Sequence, residues 1–203
     1  MLNTLKRNPA NAIVGRLNQA AVVIKRMPLI SQNFKPYVEK WLAGIQEITE
    51  PSKGLGTVRA DAKLVGDQRQ EVRIKDFTLV CDEPSTVGGT DQGPNPLEFF
   101  MSAIGFCENV TFARFATLKG LEFESLETSV RGHWDRRGQG EWEGIEPAFK
   151  DFVVETRIGS KAPLDKIRDV ARTAHRRCPM HATVSKMAPV VDKLFVNGTE
   201  VPL

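Results

Sequence analysis

The chain has 203 residues, 41% of them hydrophobic and 26% charged, which is enough to bury a core without covalent staples. A net charge of +3, a single tyrosine and no Lys/Arg cluster interleaved with aromatics argue against a nucleic-acid surface. The three cysteines, Cys81, Cys107 and Cys178, are odd in number and widely spaced, which argues against a secreted disulfide framework and fits a reducing, cytoplasmic compartment.

Met1 to Val38 contains no acidic residue, while Lys6, Arg7, Arg16, Lys25, Arg26 and Lys35 are basic. Ala12, Ile13, Leu17, Ala20, Ala21 and Ile24 recur at helical spacing. Two readings stand: a mitochondrial transit peptide, which would place the protein in the matrix, or an ordered helical extension. The single serine in the segment favours the extension. Tyr37–Ile48 reads as a further short helix, and Glu50-Pro51-Ser52-Lys53-Gly54 as a linker. The expected division is an extension and linker over 1–54 and a main domain over 55–203. No apolar run reaches the roughly 18–20 residues of a membrane span, and Lys, Arg and Pro interrupt any secretory signal, so no membrane partner is expected.

Within the main domain, Thr57–Val65 and Glu71–Val80 alternate as half-buried strands around a Gly66-Asp67-Gln68-Arg69 turn. A loop from Asp82 to Pro96, rich in Gly, Pro, Ser and Thr, ends at a long apolar helix over about Pro96–Lys119. Asn95 suits its N-cap, Pro96 its first turn and Gly120 its C-terminal stop. Apolar residues on most of its faces predict a central position, wrapped by sheet. Leu126–Trp134 and Ala148–Ile158 read as strands, Pro163–Arg177 and Met180–Lys186 as helices, and Phe195–Val201 as one last strand. Strands and helices in this order predict an α+β fold with mostly antiparallel pairing.

The cysteines are the first candidates for chemistry. Cys107 lies mid-helix in an apolar run, which by spacing alone favours a core residue; the neighbouring Glu108 would raise a thiol pKa rather than lower it. Cys178 follows His175, Arg176 and Arg177, and cations lower a thiol pKa; the same residues also suit a basic helix C-terminus with no chemistry. Cys81 reads as a strand residue with no redox task. There is no CxxC pair and no paired-ligand spacing among His133, His175 and His181, so neither a metal nor a cofactor is expected.

The stretch from Val87 to Cys107, with its Gly-rich loop, Asn95-Pro96-Leu97-Glu98 and a mid-helix cysteine, resembles the signature of the OsmC/Ohr superfamily. Leu118-Lys119-Gly120-Leu121 and Cys178-Pro179-Met180-His181-Ala182-Thr183-Val184 fit the same pattern, and the resemblance spans Gly56 to Val201. It points to the broader OsmC-like branch rather than the typical organic hydroperoxide resistance proteins. It implies curved antiparallel sheets around a long central helix in an intertwined homodimer, with the helical N-terminal extension lying outside the family pattern. It implies a thiol peroxidase acting on organic hydroperoxides or hydrogen peroxide, with Cys107 peroxidatic, Cys178 resolving and an external dithiol as reductant. Arg69 matches the hairpin cation that holds the thiolate, with Arg73 as the fallback, and Glu98 is the acid offered to it. One departure is visible: Leu97 follows the proline where the peroxidases carry the acid, and Glu98 comes one residue later, about 100° round a helix. The alternative is a module that binds a small apolar ligand or carries a persulfide at Cys107.

Overall fold

The computed structural model describes residues 29–203, so the basic segment that raises the transit-peptide question lies outside the described residues up to Pro28. Helix α1 (Lys35–Gln46) and a 3-10 turn (Pro51–Gly54) precede the strands. Val38 of α1 is buried, and Trp41 stacks under the Arg114 guanidinium, 4.5 Å from ring centroid to Cζ, which ties the helix to the main domain.

Strands β1 (Asp61–Gly66), β2 (Arg69–Ile74) and β3 (Phe77–Cys81) form an antiparallel three-stranded sheet. The single second strand expected over Glu71–Val80 is therefore two strands. The period-2 alternation runs straight through a two-residue turn at Lys75-Asp76, where Lys75 takes φ 55°. This sheet buries little: Leu64, Phe77 and Leu79 are all exposed.

The loop after β3 is built on Asp82, which is only 2% exposed. Its carboxylate accepts from the Glu83, Thr90 and Gln92 amides and from the Thr90 hydroxyl. These bonds, the Thr90 hydroxyl foremost, hold Asp82 below the ordinary carboxylate range. The loop glycines are steric necessities. A Cβ at Gly89 would lie 1.7 Å from the Glu83 carbonyl oxygen, and one at Gly93 would lie 2.3 Å from that of Val80.

Helix α2 (Pro96–Leu118) starts at the expected cap, with a reciprocal capping box between Asn95 and Glu98. It ends in a Schellman motif: Gly120 at φ 66°, its amide on the Thr117 carbonyl and the Leu121 amide on that of Ala116. Strands β4 (Ser125–Trp134) and β5 (Phe149–Gly159) pair antiparallel, and their side chains alternate in burial so that one face meets the helices. The crossover from β5 carries α3 (Leu164–Arg177) and α4 (Pro179–Met187) and returns to β6 (Val190–Val196), parallel to β5. In place of one terminal strand over Phe195–Val201, an Asn197-Gly198 turn joins β6 to β7 (Thr199–Val201).

Two core clusters sit between the helices and the second sheet. One gathers Phe112, Ala116, Ile158, Ile167, Val170, Ala174 and Leu194; the other gathers Ile104, Phe152, Val154 and Val184. The α+β class and the mostly antiparallel pairing are as expected. Among the described residues, however, α2 is not enclosed: Phe106 is 70% and Val110 49% exposed, leaving a bare apolar stripe on the helix expected to be wrapped by sheet. Among the described residues no helix is long and apolar enough to cross a membrane.

Candidate functional site

Cys107 and Cys178 meet beneath the bare stripe of α2. Cys107 sits at the border between that stripe and the buried face, half-exposed, with Phe106 and Val110 beside it. Cys178 is the hinge residue between α3 and α4, at once the C-cap of one and the N-cap of the other. It is fully buried, and the His181 amide donates to its Sγ at 3.4 Å. Both cysteines are free thiols, and Cys107 is near enough to Cys178 to push its thiol pKa up.

Burial pushes the Cys178 thiol well above its ordinary value; the His181 amide opposes this, and the charges of Glu108 and Cys107 add to it. The basic run before Cys178 does not offset the burial. Arg176 and Arg177 are exposed and belong to the last turn of α3, so they serve the helix terminus rather than the thiol. Cys81, half-buried at the end of β3, is also raised by burial and by the neighbouring Glu83 and Asp82.

Arg69 opens β2 on the exposed hairpin and lines a small cavity with Asp67, Gln68, Asp82 and Gly88–Thr90. Arg73 is exposed and donates to the Lys75 carbonyl at 3.2 Å. The Glu98 carboxylate accepts from the Asn95 amide at 2.8 Å, so one of its oxygens is spent on the capping box. Among the described residues no hydrogen bond or ion pair joins Arg69 or Arg73 to Glu98 or to Cys107. Among the described residues the structure gathers the two cysteines and leaves the hairpin cation and the helix-start acid apart.

Four ionisable side chains lie beneath the thiols, and their grouping is not evident from their spacing in the chain. Glu108 is fully buried on α2, between Ile104 of one core cluster and Phe112 of the other, each one turn away. One residue beyond Cys107, it is rotated about 100° from it and points into the core. Neither carboxylate oxygen has a hydrogen-bond partner among the described residues, and the Cys178 thiol is near enough to bear on its ionisation. His175 Nε2 lies 3.8 Å from Glu108, and His175 Nδ1 lies 3.5 Å from Asp192 on β6. Asp192 also pairs with His181 Nε2 at 3.0 Å, and the Ser185 hydroxyl lies 3.3 Å from His181 Nδ1. A carboxylate on the apolar face of α2, at i+4 from Ile104 and i−4 from Phe112, was the one signal the sequence carried.

Burial drives Glu108 up to about 7, with the His181 charge pulling it down and Asp192 pushing it up. Burial also lowers His175, against the pull of Asp192. For His181 burial lowers the pKa as well, but the bond to Asp192 and its charge outweigh it and the net shift is upward. His175, His181 and Asp192 have the donor types of a divalent-metal site. Their geometry opposes one: the two imidazoles are stacked, 5° from parallel with centroids 4.8 Å apart, and parallel rings cannot aim in-plane lone pairs at a single ion. The cluster is a His181–Asp192 hydrogen-bonded pair with His175 at ion-pair distance from Asp192 and Glu108.

Comparison with known proteins agrees with this architecture. The family model described as "OsmC-like protein" matches residues 89–192. No curated protein sequence matches the chain. Among solved structures, an OsmC-like protein from Mycoplasma pneumoniae superposes with a TM-score of 0.61 at 18% identity, covering 70% of this chain and 97% of its own. A protein from Legionella pneumophila, described as an organic hydroperoxide resistance protein OsmC and predicted redox protein, gives a TM-score of 0.52 at 20% identity, covering 70% and 97%. An organic hydroperoxide resistance protein from Elizabethkingia anophelis gives 0.54 at 16% identity, covering 71% and 98%. At these identities the solved structures speak to the fold.

Proposed function

The chain belongs to the OsmC-like protein family, and on that premise we propose that it is a thiol peroxidase for organic hydroperoxides or hydrogen peroxide. The observation that carries the reading is the meeting of Cys107, half-exposed on an apolar helix face, with the buried thiol of Cys178. The Cys107 thiolate attacks the peroxide O–O bond, an alcohol or water leaves, and a sulfenic acid remains. Cys178 condenses with it, giving the disulfide and water, and an external dithiol restores both thiols. Phe106 and Val110 beside Cys107 offer an apolar approach suited to alkyl hydroperoxides.

A homodimer completes this reading. The bare stripe of α2 and the exposed Leu64, Phe77 and Leu79 of the first sheet are surfaces a second copy would cover. The exposed hairpin would then bring Arg69 to the Cys107 thiolate, with Glu98 on the first turn of α2 as the acid offered to the arginine. Phe106→Asp, which sets a charge on the stripe, is expected to convert a dimer to a monomer in light scattering; a wild type already monomeric at micromolar concentration would contradict the dimer.

The peroxidase reading is tested by turnover of cumene hydroperoxide by the reduced protein with a dithiol in excess. Turnover well above that of a free thiol is expected, and a rate equal to free cysteine would overturn the reading. The same apolar flank of Cys107 suits a second reading, a module that binds a small apolar ligand or carries a persulfide. Ligand binding or a stable Cys107 persulfide without peroxide turnover is its signature.

A further inference from the structure

We propose that Glu108 is the proton shuttle of the resolving step, taking the Cys178 thiol proton and returning it to the hydroxide that leaves Cys107. The proposal rests on the peroxidase reading and adds to it a residue and a proton path.

The need comes from burial. Cys178 is 0% exposed, so bulk water cannot collect its proton, yet only the thiolate attacks a sulfenic acid. Glu108 is the neighbouring base, equally buried, and among the described residues neither of its oxygens has a hydrogen-bond partner. A carboxylate with a purely structural task would be expected to have such donors, because an unpaired buried polar group costs stability. This one has none among the described residues, and its charge bears on the Cys178 thiol beside it. Every packed element contributes to its setting: Cys107 on its own helix, His175 from α3, Cys178 from the α3–α4 junction, His181 from α4 and Asp192 from β6. Together they leave a carboxyl that ionises near neutrality, where one group serves best as both base and acid.

The step balances. The Glu108 carboxylate accepts the proton of the Cys178 Sγ–H. The resulting thiolate gives an electron pair to Cys107 Sγ; the S–S bond forms as the S–O bond breaks. The departing hydroxide takes the proton back from Glu108 and leaves as water. The carboxylate is regenerated, and the oxidising equivalent is the one the peroxide deposited on Cys107.

The test mixes reduced full-length protein with one equivalent of cumene hydroperoxide and quenches at intervals across about pH 5.5–9, a range centred on Glu108. Dimedone adducts report sulfenic acid, and peptide mass reports disulfide. In the wild type the disulfide phase is expected to rise with pH through about 7. In Glu108→Gln it is expected to slow by about 100-fold or more and to lose that rise, with Cys107 sulfenic acid accumulating. Glu108→Asp should recover part of the rate together with the pH step, which a packing role would not predict. A Glu108→Gln protein matching the wild type in rate and profile overturns the shuttle and leaves the peroxidase reading intact. Should that variant fail to fold, the wild-type profile decides: a phase that rises only near the ordinary thiol value of about 8.5, or not at all, overturns it. A wild type that forms neither sulfenic acid nor disulfide overturns the peroxidase reading and the shuttle with it.

Discussion

Cys107→Ser is expected to reduce hydroperoxide turnover on the order of 1,000-fold or more, the scale of loss when a covalent nucleophile is removed. A serine hydroxyl keeps the size and the helix, but it is not ionised near neutral pH and does not form an oxidised intermediate with a peroxide. Cys178→Ser should behave differently. Cys107 remains half-exposed and is oxidised once, so one equivalent of peroxide is consumed and a sulfenic acid persists until the added dithiol reaches it. Stopped-flow peroxide consumption with both variants separates the two roles. Equal rates in Cys107→Ser and wild type would remove Cys107 from the chemistry.

The second large effect falls on stability. Phe112 is fully buried where α2 meets α3, and its ring stands edge-on to His175, 5.6 Å between centroids at 77°. It packs in the cluster with Ile167, Val170, Ala174 and Leu194. Phe112→Ala is expected to cost about 3–5 kcal/mol, the transfer of the ring plus the cavity it leaves. In a chain of this size that is a fall of roughly 6–20 °C in Tm. The cavity also frees one face of His175 and so loosens the network that sets Glu108. Thermal denaturation by circular dichroism measures the effect; an unchanged Tm would show that this cluster does not hold the fold together.

Local signals made the outline of the fold legible. Asn95, Pro96 and Gly120 bound the central helix because a cap, a first-turn proline and a left-handed glycine act within a few residues of chain. The turn at Lys75-Asp76 was hidden because a two-residue turn preserves the alternation on both sides of it. The Asn197-Gly198 turn was readable, since Asn-Gly is the strongest short hairpin signal, yet it was absorbed into a single strand. The two cysteines were legible through their motifs. The nearness of Glu108 to Cys178 was not, because the neighbour of Cys107 in sequence is turned about 100° from it, into the core. His175, His181 and Asp192 come from α3, α4 and β6, and only the crossover between β5 and β6 brings them together. The openness of α2 was equally hidden: a helix apolar on most faces reads the same whether its own chain or a second copy covers it.

The central claim is that Cys107 and Cys178 are one redox couple. Its most direct test is the covalent product formed when the reduced protein meets one equivalent of cumene hydroperoxide. Peptide mapping under non-reducing conditions is expected to give a single new species, the peptides of Cys107 and Cys178 joined, with Cys81 still free. A disulfide through Cys81, or Cys107 oxidised beyond sulfenic acid while Cys178 stays reduced, would contradict the account.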